Sequence, residues 1–150
     1  MARNGYTLVE LILVVLIIAV LTSVAVPRFS WGAVWGAKAD AFVQQLTTDL
    51  RRARAHAIGQ AAQNPVGFAL VMDAPHGTYR ILDLHDSTVV AACTIPAEVR
   101  CTDGQRFEFG PLGNLREGSD TRLRVTCESR AYTLTMVRAT GTVKWVRDRP

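Results

Sequence analysis

The sequence lacks the short signatures that mark most small catalytic domains. It has no H-E-x-x-H or related zinc spacing, and its three histidines, His56, His76 and His85, fall on a helical stretch and two separate loops. No G-x-x-x-x-G-K loop offers its amides to a phosphate. None of the three cysteines, Cys93, Cys101 and Cys127, stands in a local nucleophile motif. Acidic pairs such as Glu108 with Glu128, or Asp83 with Asp86, occur on the solvated surface of almost any chain of this size. The expectation is a protein that is not an enzyme and takes no cofactor or metal.

Charge is missing from one stretch in particular. Residues 6–26 contain a single charged side chain, Glu10, and residues 11–21 are apolar without a break. At 1.5 Å per residue the longer stretch measures about 31 Å, the thickness of a bilayer's hydrocarbon core. A small-residue cleavage site is also missing after the run, which leads instead into Pro27 and Arg28. The competing reading is a secretory signal peptide, whose apolar region would be shorter, and the stretch reads as a retained membrane anchor. An even cysteine count is lacking too, so at least one thiol has no intramolecular partner. Cys93 and Cys101 bracket Pro96 closely enough to close a short disulfide loop, although all three pairings stay open. Cys127 alternates with Leu123 and Val125 and reads as a small buried apolar residue.

With 150 residues the chain has room for one domain with a modest core, and its net charge is +4. Two basic clusters stand out, Arg51, Arg52 and Arg54, and Lys144, Arg147 and Arg149. Apart from Trp145 they lack the interleaved aromatics of a groove for single-stranded nucleic acid. Beyond the anchor a second apolar stripe runs through Trp31, Trp35, Ala39, Phe42, Leu46, Leu50, Ala53, Ala57 and Ala61, at spacings of three and four. This is one face of an α-helix, with Lys38, Asp40, Gln44, Thr48, Asp49, Arg51 and Arg52 opposite. Pro27 removes a backbone hydrogen bond between the two stretches and is expected to kink the helix. Asn64, Pro65 and Gly67 end it. Strand-type runs follow at 66–73, 78–84, 87–95, 105–109, 121–128, 132–139 and 142–146, separated by turns at 74–77, 110–114 and 140–141. The expected fold class is α+β: a long N-terminal helix, transmembrane in its first half and amphipathic in its second. A small antiparallel β-sheet domain packs on its C-terminal half.

Gly5-Tyr6-Thr7-Leu8-Val9-Glu10, followed at once by the apolar run, resembles the leader of type IV prepilins and pseudopilins. The resemblance implies a leader over residues 1–5, a transmembrane segment over 6–26, a stem helix over 27–63 and a periplasmic β-domain over 64–150. It implies cleavage between Gly5 and Tyr6 by a prepilin peptidase and methylation of the new amino terminus at Tyr6, where phenylalanine is usual. Glu10 then pairs with the amino terminus of a neighbouring subunit during assembly, and Pro27 falls at the family's helix-breaking proline.

Residues 49–58, DLRRARAHAI, resemble the D-L-x-x-A-R-x-x-A-I stem end of GspH/FimT-type minor pseudopilins. Residues 109–113 resemble their F-x-P-x-G turn, and 134–146 their C-terminal hairpin. That resemblance implies a structural subunit, pilin-like in fold and single-pass in the inner membrane. It acts with other pseudopilins or minor pilins, an inner-membrane assembly platform and membrane lipid. The preferred machine is a type II secretion pseudopilus, in which the subunit helps prime or cap the filament. The alternative is a minor pilin of a type IV pilus, with DNA as a partner through Lys144, Arg147 and Arg149. The DNA-binding members carry Gly-Arg-x-Arg, whereas Gly141-Thr142-Val143-Lys144 lacks the first arginine.

Overall fold

The computed structural model describes residues 7–25, 31–128 and 130–148, the side chains of 24, 25 and 31–35 excepted. The chain forms two units, residues 1–33 and residues 34–150. Helix α1, Leu8–Ala25, belongs to the first. Helix α2, Trp31–Gly59, lies almost wholly in the second. The kink expected at Pro27 falls outside the described residues.

Periodicity located the buried face of α2. Ala39, Phe42, Leu46, Leu50, Ala53 and Ala57 are buried as the spacing predicts, together with Val43 and Thr47. Thr47 donates its hydroxyl to the Val43 carbonyl oxygen at 2.7 Å, so no polar group is stranded in the core. The helix ends at Gly59, and a turn carries the chain to Asn64. Asn64 is buried yet fully occupied: its Oδ1 accepts from the Val66 and Gly67 amides at 3.0 and 2.8 Å. Its Nδ2 donates to the Gly67 carbonyl at 2.8 Å and to Asp83 Oδ1 at 2.6 Å.

Eight antiparallel strands follow: β1 Phe68–Asp73, β2 Thr78–Asp83, β3 Val89–Thr94, β4 Arg100–Thr102, β5 Arg106–Phe109, β6 Arg122–Cys127, β7 Arg130–Met136 and β8 Val143–Asp148. They form two four-stranded sheets, in the orders β3-β2-β1-β5 and β4-β6-β7-β8, rather than the one sheet expected. The sheets divide after β5, which pairs back to β1, whereas β6 pairs with β4 and β7. Strand β4 was not expected, because three residues are too few for alternation to register. Phe68, Leu70, Tyr79, Ile81 and Phe107 from the first sheet, and Leu123, Val125, Tyr132, Leu134 and Val143 from the second, join the α2 stripe in one core. The segment between β5 and β6 ties the sheets together. Leu115 bridges to Phe109, and its amide donates to the Arg138 carbonyl at 2.8 Å.

Candidate functional site

Two regions carried the functional expectations, the start of α1 and the end of α2. Gly5 and Tyr6, the expected cleavage and methylation residues, lie outside the described residues, and so does Pro27. At Thr7 the helix begins with a cap: its Oγ1 accepts the Glu10 amide at 3.3 Å. Thr7-Leu8-Val9-Glu10 has the T-x-x-E spacing of a capping box, a signal present in the sequence but unread there. Glu10 sits in the first turn, where the helix dipole favours a negative charge. Along the rest of α1 twelve large apolar side chains, Leu8 to Leu21, are 48–74% exposed, on every side of the helix. Thr22 and Ser23 return their hydroxyls to the Ile18 and Val20 carbonyls at 2.9 Å, which leaves no polar group of theirs in need of water. Among the described residues no helix is long and apolar enough to cross a membrane. The 18 residues of α1 measure about 27 Å, and the expected span 6–26 starts and ends beyond the residues described.

At the other end of the stem, each residue of the D-L-x-x-A-R-x-x-A-I pattern has a structural task. Leu50, Ala53 and Ala57 are fully buried in the core. Asp49 Oδ2 accepts from the Tyr79 hydroxyl at 2.6 Å and from Cys93 Sγ at 3.8 Å. Arg54 Nε donates to the Gly113 carbonyl oxygen at 3.1 Å. Both glycine turns close on that guanidinium. A Cβ on Gly141 would stand 2.1 Å from the Gly113 carbonyl oxygen, and a Cβ on Gly113 would meet Ile58 Cδ1 at 2.6 Å. Gly113 and Gly141 hold positive φ, 75° and 62° respectively. Three segments far apart in sequence, the stem end, the 110–114 turn and the 140–141 turn, therefore form one locus.

Asp40 and Asp49 correct a sequence expectation. The spacing places both on the solvated face of the stem, but they are half-buried and border the buried stripe on opposite sides. Asp40 accepts from the Tyr132 hydroxyl and from Arg130 at 2.7 Å, so each sheet is fastened to α2 by one carboxylate and one core tyrosine. Arg130 lies so close to the stem that a Cβ on Gly36 would overlap its guanidinium. Burial first, and the neighbouring carboxylate second, push both tyrosine hydroxyls above their ordinary pKa.

The remaining expected sites do not gather. Cys93 and Cys101 lie on β3 and β4, in different sheets, and are free thiols, so the disulfide loop around Pro96 is not formed. Cys127 is buried as expected. Open clefts of about 330 and 310 Å³ flank β4 and share Cys101 and Thr102. Burial raises the Cys101 thiol to about 11, which keeps it protonated and poorly nucleophilic at neutral pH. Lys144 and Arg147 point to opposite faces of β8, because Lys144 pairs with Thr135 and Arg147 with Tyr132 on the core side. The C-terminal cluster is thus divided, and Arg149 lies outside the described residues. Arg51 and Arg52 are exposed, while Arg54 is half-buried in the glycine locus. Among the described residues no three His, Cys, Asp or Glu side chains are placed to hold a metal ion.

Residues 1–26 match the family model of the prokaryotic N-terminal methylation motif. No curated protein matches the chain, and no solved structure does. The motif is the signature of type IV pilins and pseudopilins. It implies processing by a prepilin peptidase, a membrane anchor and assembly with other pilins into a filament.

Proposed function

We propose that this chain is a non-catalytic minor pseudopilin of the GspH type, which helps prime or cap the pseudopilus of a type II secretion system. The observation that carries the assembly reading is the methylation-motif match over residues 1–26, within which the helix α1 is apolar on all sides. Leaving its twelve large side chains in water costs on the order of 20 kcal/mol. A bilayer removes that cost, and so do the packed helices of a filament. On this reading the peptidase cuts between Gly5 and Tyr6 and methylates Tyr6. Residues 6–26 anchor the chain once in the inner membrane, and residues 64–150 lie in the periplasm on the stem of residues 27–63. Glu10 is then free to meet the amino terminus of a neighbouring subunit, which neutralises both charges inside the membrane.

The finer assignment rests on the stem end. The segments that resemble GspH/FimT-type pseudopilins meet around Arg54, Gly113 and Gly141, which makes them one feature instead of three separate coincidences. The DNA-binding alternative draws less support, because Lys144 and Arg147 face apart. Chromosomal deletion, with comparison of the proteins in the medium and periplasm, tests the assignment. Folded exoproteins that accumulate in the periplasm and return to the medium on complementation support it. An unchanged secreted set would assign the subunit to a type IV pilus, to be followed through twitching and DNA uptake.

A further inference from the structure

The sheet β4-β6-β7-β8 turns one face to the core, and its register decides what stands on the other. Arg100 pairs with Thr126, Thr102 with Arg124, Arg124 with Thr133, and Arg122 with Thr135, which pairs onward with Lys144. Partners directly across a sheet share a face, so Arg100, Arg122, Arg124 and Lys144 all stand on the outer one, and all four are exposed. Threonines fill the positions between them. Among the described residues the face holds one carboxylate, Asp148, which lies 3.8 Å from Arg124 Nε and accepts from the Thr133 hydroxyl. Four cations against one acid leave three net positive charges there, on a chain whose total is +4. Nothing in the linear sequence signals this, because the four residues come from three strands.

With strands about 4.8 Å apart and residues about 3.4 Å apart, the cations are spread over roughly 14 by 14 Å. They form a two-dimensional array and not a line. Among the described residues the face has no aromatic side chain on which a base could stack: the Trp145 ring is on the core side, 6.1 Å from Tyr132. Among the described residues of its strands, Val146 is the exposed large apolar side chain, and Val137 follows at the β7–β8 turn.

We propose that this face docks on the anionic phospholipid headgroups of the membrane that holds the chain. The inference rests on the anchoring reading given above. A tethered domain meets its own bilayer at high effective concentration, ahead of any polyanion that must diffuse to it. Each cation near an anionic leaflet strengthens the contact about fivefold, within a Debye length of about 8 Å at physiological salt. The exposed Thr102 and Thr135 hydroxyls supply hydrogen bonds to phosphate oxygens, while those of Thr126 and Thr133 donate within the sheet.

The chain has two lysines, Lys144 on this face and Lys38 on the stem, where it pairs with Glu98 at 3.3 Å. Full-length protein is reconstituted in nanodiscs of pure phosphatidylcholine, or with phosphatidylglycerol added, and amine acylation at both lysines is followed by mass spectrometry. Phosphatidylglycerol is expected to slow acylation of Lys144 relative to Lys38 by about tenfold, with the effect lost in high salt and in Arg122→Gln/Arg124→Gln protein. A ratio that ignores lipid charge, while the protein stays in the discs, overturns the docking and leaves the anchoring reading intact. Slowing by duplex DNA in phosphatidylcholine discs that matches the effect of phosphatidylglycerol assigns the face to nucleic acid and also overturns the proposal. Protein that leaves discs of both kinds on washing overturns the anchoring reading, and the docking with it.

Discussion

Tyr79 and Tyr132 are buried to within 1% and still carry a polar tip each, which Asp49 and Asp40 satisfy from the borders of the α2 stripe. Asp49→Ala leaves the Tyr79 hydroxyl without its acceptor and is expected to cost about 1–3 kcal/mol in chemical denaturation. Tyr79→Phe removes the hydroxyl as well and costs about 1 kcal/mol or less. A larger loss from Tyr79→Phe than from Asp49→Ala would contradict this reading. The same burial sets an alkaline limit. Cys101 is raised from 9.0 to about 11, and burial also raises Tyr79, Tyr132 and Cys127. A group with a raised folded-state pKa favours folding below its unfolded value, and that contribution disappears as pH climbs through the folded value. The melting temperature should therefore fall between pH 9 and 11, and alkylation of Cys101 at pH 8 should run about a hundredfold slower than that of a peptide thiol. At Glu10, substitution by alanine is expected to leave leader cleavage intact and to weaken incorporation into a filament. Normal incorporation in a cross-linking assay would sink the proposed role.

The elements were legible where periodicity is long. In the α2 stripe Ala39, Phe42, Leu46, Leu50, Ala53 and Ala57 are buried as expected, while Ala61 falls past the helix end and Val43 and Thr47 widen the face. Seven of the eight strands lie within a few positions of their expected ends. The eighth, Arg100–Thr102, has too few residues for a pattern, and the division into two sheets was illegible because it depends on β5 pairing back to β1 instead of onward to β6. Register was illegible as well, because pairing partners are far apart in sequence. Lys144 and Arg147 look like a cluster in the sequence yet face opposite ways, whereas Arg100, Arg122, Arg124 and Lys144 look scattered and share a face. The 74–77 turn was legible, and its closure is a 3-10 turn, Ala74–His76, followed by Gly77 at φ 60°. Both glycine turns at the stem end were found from composition, but their contact with Arg54 was not. That contact separates two substitutions. Gly118→Ala, at φ 84° in open space, should cost about 1–2 kcal/mol. Gly141→Ala adds a Cβ that collides with the Gly113 carbonyl oxygen, and should cost about 3 kcal/mol or more, read from paired denaturant titrations. Equal costs at the two positions would show that the locus yields freely.

For the molecule as a whole, the division of labour follows composition. Residues 34–150 close a core of their own around the stem and both sheets, and the large apolar side chains of α1 stay uncovered. A chain built this way needs a hydrophobic environment for one end and an aqueous one for the other. The methylation motif over residues 1–26 supplies the route by which such chains enter a filament. The most direct test is the mass and amino-terminal sequence of the chain after co-expression with a prepilin peptidase. A mature protein that begins at Tyr6 and carries a methylated amine is the predicted result. A chain that keeps Met1 to Gly5 in the presence of active peptidase, or is cut anywhere else, would contradict the account.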